Sequence, residues 1–148
     1  MRIIGLDFGE KTVGVALSDE MGLTAQPYTT VHRDRPTKLR QTLAKIETII
    51  SENEVSLIVL GLPKGLDNVE GEMCERVREF GERLSRRTSL PVEYVDERLT
   101  TKEAGRVLEE ANVRKTERKK YVDKMAAALI LKTYLEMNPS AKQDDTEE

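Results

Sequence analysis

The stretch that decides the fold is residues 2–18, which read RIIGLDFGEKTVGVALS. Both halves of this stretch are mainly apolar, and the polar residues 9–11 (Gly-Glu-Lys) separate them. In the second half, large apolar residues alternate with small ones, which is the period of a β-strand. We therefore predict two strands, 2–8 and 12–18, joined by a tight turn.

The rest of the chain alternates between strand and helix patterns. Pro27 lies within the third apolar segment and favours an edge position for that strand, because proline cannot donate a backbone hydrogen bond. The helical segments carry apolar stripes at helical spacing. A short apolar run that ends at a Gly-Leu-Pro sequence is typical of a buried parallel strand. The expected elements are a strand within 24–33, helix 37–51, strand 57–60, a helix with its stripe from Val69 to Leu84, strand 91–95, and helices 101–111 and 117–137.

This order of elements is that of an α/β protein. Three consecutive strands followed by helix-separated strands predict a mixed five-stranded sheet with helices on both faces. The sequence has neither an internal repeat nor a linker that would divide it. We expect one domain over residues 1–138 and an acidic, disordered tail at 139–148.

The composition narrows the class of protein. Of the 148 residues, 38% are hydrophobic and 34% charged, as in a globular protein with a polar surface. Cys74 is the single cysteine, so an intrachain disulfide is excluded. The sequence has no apolar run of the ~20 residues that a membrane helix needs, and the N-terminal apolar run is too short for a signal peptide. We expect a cytoplasmic protein with no membrane partner.

The distribution of charge reveals a basic segment in a chain of net charge −3. Residues 140–148 hold one lysine against four acids, which leaves a neutral body. Within that body, residues 114–124 hold six basic side chains against two acids. Such a local patch favours phosphate binding, although a solvated helix start would look the same. The candidate phosphate-binding residues in this run are Arg114, Lys115, Arg118, Lys119 and Lys120.

Two carboxylates follow predicted strands. Asp7 ends the first strand, and ligand sites in open α/β sheets lie beyond the carboxyl ends of strands. Asp7 could instead only organise the turn with Gly9. Glu97 lies just past strand 91–95 and can reach the same sheet edge. It could also form a surface pair with an arginine or mark the start of a helix.

A third carboxylate, Asp123, lies inside a predicted helix. It shares a face with Ala126, Ala127 and Ile130, which are spaced to pack closely on the sheet. An acid at the head of a buried stripe is costly unless it has a partner. A metal ion could be that partner, and the alternative is an ion pair with a lysine nearby in sequence, namely Lys119, Lys120 or Lys124.

The three carboxylates would repel one another if the fold brought them together. At ~4 Å each pair costs about 4 kcal/mol at an effective dielectric constant near 20. A divalent cation removes this penalty, and Mg²⁺ or Mn²⁺ prefers oxygen ligands. Paired ions of this kind support phosphodiester cleavage. The sequence alone does not show that the three residues converge.

Four short motifs occur in order along the chain. The motifs are Leu6-Asp7-Phe8-Gly9 with Val13-Gly14-Val15-Ala16, Gly61-Leu62-Pro63 with Gly71, Asp96-Glu97-Arg98 with Thr100 and Thr101, and Asp123 with Ala126, Ala127, Ile130 and Leu131. The chain that carries these motifs resembles the YqgF family, RNase-H-like proteins that are also described as Holliday junction resolvases, and the resemblance covers roughly residues 1–137.

The resemblance implies an RNase-H-like fold and a nuclease, a hydrolase acting on ester bonds, that processes the 5′ end of the pre-16S ribosomal RNA precursor. It implies that Asp7, Glu97 and Asp123 form the acidic site, with Mg²⁺ or Mn²⁺ as cofactor in a two-metal arrangement. RNA is then the expected partner more than DNA, within pre-ribosomal particles, for a monomer or homodimer. Arg98 joins the basic run as an expected nucleic-acid contact.

The sequence departs from the related proteins in the loop after Pro63 and at the end of the strand that precedes it. After Pro63 the family often shows an Asn-Met pair, whereas residues 64–68 here read KGLDN. The related resolvases carry an acid near the end of the preceding strand, where this chain has Gly61 and Leu62. A four-acid site of the resolvase type is therefore not expected.

Other functions remain open at this stage. The same chemistry on DNA would make a Holliday junction resolvase acting in recombination, and loss of catalysis would leave a nucleic-acid-binding factor. Half of a sugar kinase or actin-like ATPase is disfavoured because the chain is short and lacks a second Asp-x-Gly repeat. We expect a surface position for His32 and a packing role for Cys74.

Overall fold

A computed structural model describes residues 1–33, 35, 38–63, 71–97 and 115–138, and of 115–123 it describes the helical backbone alone. It contains a sheet flanked by helices. The strands are β1 (Arg2–Phe8), β2 (Thr12–Ser18), β3 (Ala25–His32), β4 (Val55–Leu62) and β5 (Val92–Asp96), and the helices are α1 (Leu39–Glu52), α2 (Glu72–Thr88) and α3 (Lys115–Met137).

The strands form one mixed sheet in the order β3-β2-β1-β4-β5. The first three strands pair antiparallel, and β4 pairs parallel with both β1 and β5. The predicted mixed five-stranded sheet is therefore confirmed. The strand that carries Pro27 lies at an edge of the sheet, as predicted.

The turn between β1 and β2 is closed by its own backbone. The amide of Gly9 donates a hydrogen bond to the carbonyl oxygen of Thr12 over 2.7 Å. A Cβ atom at position 9 would lie 3.1 Å from that same oxygen, so glycine suits this close approach. The hairpin fixes the register in which Asp7 lies opposite Gly14.

The core has two layers, one on each face of the sheet. Leu6 and Phe8 of β1 point toward α1 and α2, and Ile3 points toward α3. The backbone of α3 lies very close to β1, because a Cβ atom at Gly5 would lie 2.9 Å from the carbonyl oxygen of Ala127. Helices thus cover both faces, as the sequence predicts.

Most element boundaries agree with the sequence-based expectation. The first two strands match residue for residue, and the predicted strand 57–60 extends by two residues at each end. No helix in the described part of the chain is long and apolar enough to cross a membrane. The predicted helix 101–111 and the tail 139–148 lie outside the described residues, so neither that helix nor the domain boundary is tested.

Candidate acidic site at the sheet edge

Asp7 of β1, Gly61 of β4 and Val95 of β5 lie near the carboxyl ends of their strands and face the same side of the sheet. Along each strand, alternate residues point to the same face, and Ile3, Val59 and Val95 all pack against α3. Asp7 shares this face with Ile3, and Gly61 shares it with Val59. Strand β4, which lies between β1 and β5 in the sheet, therefore contributes a glycine between the ends of those two strands.

The side chain of Glu97 lies over that glycine. A Cβ atom at Gly61 would lie 2.8 Å from Cγ and 3.0 Å from Cδ of Glu97. It would also lie 2.5 Å from Cδ1 of Ile130 in α3. Real Cβ contacts are longer than these distances, so the space that Glu97 occupies exists because residue 61 has no side chain.

Glu97 reaches across β4 to Asp7. The two carboxyl groups share a hydrogen bond, which requires a proton on one of them. Burial, this hydrogen bond and the negative charges of Asp7 and Asp96 together raise the pKa of Glu97 to about 9. At neutral pH, and without a cation, the pair therefore retains a proton. The structure brings together two of the three predicted acids.

The third predicted acid lies in α3. Asp123 precedes Ala127 by four residues, about one helical turn, and the carbonyl oxygen of Ala127 closely approaches β1 at Gly5. The side chain of Asp123 lies outside the described residues. The stripe that follows it is buried as predicted, with Ala126, Ala127 and Ile130 each at most 1% exposed.

The basic run is described only in part. Lys115, Arg118, Lys119 and Lys120 belong to the first two turns of α3, but their side chains lie outside the described residues. Arg98 and Arg114 lie outside them altogether. All six therefore stay predictions as nucleic-acid contacts.

Asp7 and Glu97 form a pair of carboxyl groups suited to sharing one cation. Among the side chains described, no three His, Cys, Asp or Glu residues are grouped so that they could hold a metal ion. A site with more protein ligands than Asp7 and Glu97 would thus need a carboxylate from elsewhere, and Asp123 is the candidate.

Sequence analysis missed the role of Gly61 at this site. In the sequence, residues 61–63 mark the end of a buried strand, form part of a family motif, and stand where related resolvases carry an acid. The available signal was a glycine within an apolar strand, which often marks close approach of another group. Both minor predictions are confirmed, since His32 is exposed and Cys74 is fully buried.

Comparison with known proteins agrees with this architecture. Residues 1–137 match the family model described as RuvX: Holliday junction resolvase. The chain belongs to the RuvX family. The predicted YqgF resemblance is thereby confirmed over nearly the whole chain.

Relatives with high sequence identity share one name. A protein of Agathobacter rectalis is 57% identical to this chain over 136 residues, which are 92% of this chain and 95% of that protein. A protein of Lachnospira eligens is 55% identical over 136 residues, which are 92% of this chain and 97% of that protein. Both are named "Putative pre-16S rRNA nuclease". The family description and the relatives' names all denote nucleases, so the prediction of a nuclease, a hydrolase acting on ester bonds, is confirmed at that level.

Solved structures confirm the fold. RuvC of Thermus thermophilus in complex with a Holliday junction substrate aligns with a TM-score of 0.58 and 16% identity, over 93% of this chain and 96% of its own. A second structure of the same protein aligns with a TM-score of 0.54 and 14% identity, over 93% and 97%. The RNase-H-like fold of this RuvX-family chain is thus shown.

Proposed function

We propose that this protein is a metal-dependent nuclease that hydrolyses phosphodiester bonds near the 5′ end of pre-16S ribosomal RNA during ribosome biogenesis. The observation that carries the proposal is the half-buried contact between the carboxyl groups of Asp7 and Glu97 near the carboxyl ends of β1 and β5. The names of relatives that are 57% and 55% identical support the choice of RNA substrate.

The acidic pair has the properties expected of a cation site. Two half-buried carboxylates in contact repel each other, and this repulsion adds to desolvation in raising the pKa of Glu97. Carboxylate oxygens are the ligands that Mg²⁺ and Mn²⁺ prefer. A cation would thus relieve a penalty that the fold itself creates, and Asp123 would add a third carboxylate from α3.

The residues of the chain have distinct tasks in this proposal. Asp7 and Glu97 would hold a divalent cation between their carboxylates in place of the shared proton. Gly61 leaves the space through which Glu97 approaches Asp7. A divalent cation bound there would supply the positive charge that activates water and stabilises the leaving oxygen.

Substrate positioning falls to the basic residues. Lys119 and Lys120 precede Asp123 by about one helical turn, so a phosphate held by them would lie near the acidic edge. Contacts of this kind position nucleic acid without reading its sequence. Arg98, Arg114, Lys115 and Arg118 would extend the same basic surface.

A Holliday junction is the second candidate substrate. The description of the matching family names Holliday junction resolvase activity. Cleavage of a four-way DNA junction would use the same acidic pair, because the attacked bond is again a phosphodiester. The two candidates therefore differ in the polymer that is bound and not in the chemistry.

A cleavage assay with parallel substrates tests the proposal. Labelled pre-16S rRNA, single-stranded RNA and a four-way DNA junction are incubated with the protein in Mg²⁺, in Mn²⁺ and in chelator. We expect metal-dependent cleavage of the rRNA precursor that is lost in Asp7→Asn. Cleavage of the junction alone would replace the RNA assignment, and cleavage that persists in chelator would refute the metal-dependent mechanism.

A further inference from the structure

A second charged site lies on the opposite face of the sheet. Arg33 directly follows β3 and is only 8% exposed. Its Nη2 donates a hydrogen bond to the carbonyl oxygen of Gly9 over 2.5 Å. Its guanidinium carbon lies 4.9 Å from the centre of the Phe8 ring, within the range of a cation–π contact. Arg33 is therefore held in one place by the β1–β2 turn.

Within the described residues, the other two nitrogens of this guanidinium have no hydrogen-bond partner. Nε and Nη1 of Arg33 are both buried, and neither has a hydrogen-bond acceptor in the described structure. Burial also lowers the pKa of Arg33, because it disfavours the charged form. A buried cation with unused donors is costly, so an anionic acceptor would stabilise this arrangement.

The guanidinium lines a cavity of about 270 Å³. The apolar wall of this cavity is formed by Phe8, Leu39, Met73 and Phe80. The rings of Phe8 and Phe80 lie 4.6 Å apart between their centres, which makes one side of the cavity aromatic. The space can hold an anionic group together with part of an apolar or aromatic neighbour.

Four charged side chains line the same cavity. Arg33 and Arg76 are the cations, and Glu10 and Glu79 are the acids. Arg76 is engaged with a glutamate of its own helix, since its Nη2 lies 2.9 Å from Oε1 of Glu72. Among the described residues that line this cavity, Arg33 is thus the cation whose guanidinium has donors without an acceptor.

The cavity and the acidic pair both lie near the carboxyl end of β1. Asp7 and Phe8 are consecutive residues of β1, so their side chains point to opposite faces. Asp7 faces α3 and Glu97, and Phe8 faces the cavity. A nucleic-acid strand that passes over this end of β1 would reach both.

We propose that the cavity beside Arg33 is a second phosphate-binding site, in which Arg33 donates to a phosphate of a nucleic-acid strand extending from the acidic pair. Guanidinium groups form strong charge-assisted hydrogen bonds to phosphate. The aromatic wall suits the neighbouring sugar or base. This inference rests on the proposed nuclease function for the origin of the phosphate, and its chemistry is shared by free phosphate.

Melting experiments with inorganic phosphate test the site apart from catalysis. The protein is melted in chelator, in phosphate and in chloride of equal ionic strength. A ligand that binds only the folded state raises the melting temperature. We expect phosphate to stabilise the wild type and Asp7→Asn, and to have no effect on Arg33→Met. Arg33→Lys, which keeps the charge with fewer donors, should show a reduced shift.

A control variant at Arg40 and two glutamate variants test whether phosphate or a carboxylate of the chain is the partner of Arg33. Arg40→Met removes an exposed arginine of α1 and should retain the phosphate effect. An equal shift in wild type and Arg33→Met would overturn the site. It would also be overturned if Glu10→Gln or Glu79→Gln destabilised the wild type but not Arg33→Met, because a carboxylate of the chain would then be the partner of Arg33.

Binding to RNA separates a strand phosphate from free phosphate. Single-stranded RNA is titrated over a range of salt concentrations in chelator. Loss of one phosphate contact in Arg33→Met should reduce the log–log slope by about 0.7. An unchanged slope alongside a lost inorganic phosphate effect would overturn the assignment to a strand.

If no substrate is cleaved but these effects hold, the nuclease function fails and the site stands. If Arg33→Met changes nothing while Asp7→Asn abolishes cleavage, the site fails and the function stands.

Discussion

The carboxyl groups of Asp7 and Glu97 share a hydrogen bond although their strands are not neighbours in the sheet. Asp7 is on β1 and Glu97 follows β5, with β4 between them. The contact exists because Gly61 of β4 has no side chain in the space that Glu97 occupies. Two acidic groups that share one proton are thereby held together at the ends of the strands, an arrangement in which a cation could replace that proton.

Replacing Asp7 by asparagine should remove catalysis and keep the fold. Asparagine preserves the size of the side chain but removes a charged metal ligand. Changing residues that only support a metal ligand costs 10–100-fold in activity, so losing a ligand itself should cost about 100-fold or more. Cleavage rates and circular dichroism are the measurements. Wild-type activity in Asp7→Asn would refute the acidic site.

The stability of the metal-free protein should fall as the pH rises. The pKa of Glu97 is about 9 in the folded protein against an ordinary value of 4.5. The folded state therefore binds the proton more tightly than the unfolded state, and this contribution is complete below about pH 4.5 and is lost as the pH rises through about 9. Melting temperatures across this range in chelator give the profile.

Two variants isolate the contribution of Glu97 to that profile. Glu97→Gln should flatten it, whereas Glu93→Gln, at an exposed position of β5, should retain it. Addition of Mg²⁺ or Mn²⁺ should release a proton and raise the melting temperature. A profile that is identical in wild type and Glu97→Gln would show that Glu97 does not hold this proton.

Adding a methyl group at Gly61 should disturb the acidic pair. The new Cβ would lie within 3.0 Å of Glu97 and Ile130, and overpacking of this kind costs about 1–3 kcal/mol. We expect Gly61→Ala to lose stability and cleavage together, measured by denaturant unfolding and by the nuclease assay. Gly71→Ala is the control, because a Cβ there meets nothing within 4 Å. Equal activity in the two variants would contradict the role of Gly61.

Removing two lysines of α3 should weaken binding to every nucleic-acid sequence alike. Lys119→Ala with Lys120→Ala should reduce the salt dependence by about 0.7 to 0.9 in the log–log slope for each lost phosphate contact. Lys45→Ala, on the exposed side of α1, is the control. An unchanged slope and affinity would mean that this run is only a solvated helix face.

Deleting residues 140–148 should leave stability and activity nearly unchanged. This segment holds one lysine and four acids and has no large apolar residue that could anchor it to a core. Melting and cleavage of the shortened chain are compared with those of the full chain. A marked loss of stability would show that the segment docks on the domain.

The sequence by itself determined the elements and part of the site. The apolar run 2–8 and the alternation in 12–18 predicted the two hairpin strands, and the apolar stripe predicted the buried face of α3. Such patterns are local properties that each element carries in its own residues. The sequence also located Asp7, since the end of an apolar strand is recognisable without knowledge of its neighbours. The role of Asp123 came from resemblance, and it stays a prediction.

The tertiary structure alone decided which distant residues meet. Nothing local in the sequence states that β4 lies between β1 and β5, so the contact of Asp7 with Glu97 over Gly61 could not be read from spacing. The burial of Arg33 depends likewise on how the end of β3 meets the β1–β2 turn and α2. Strand order and packing bring these side chains together, and the resulting burial and mutual charge raise the pKa of Glu97 and leave Arg33 with unused donors.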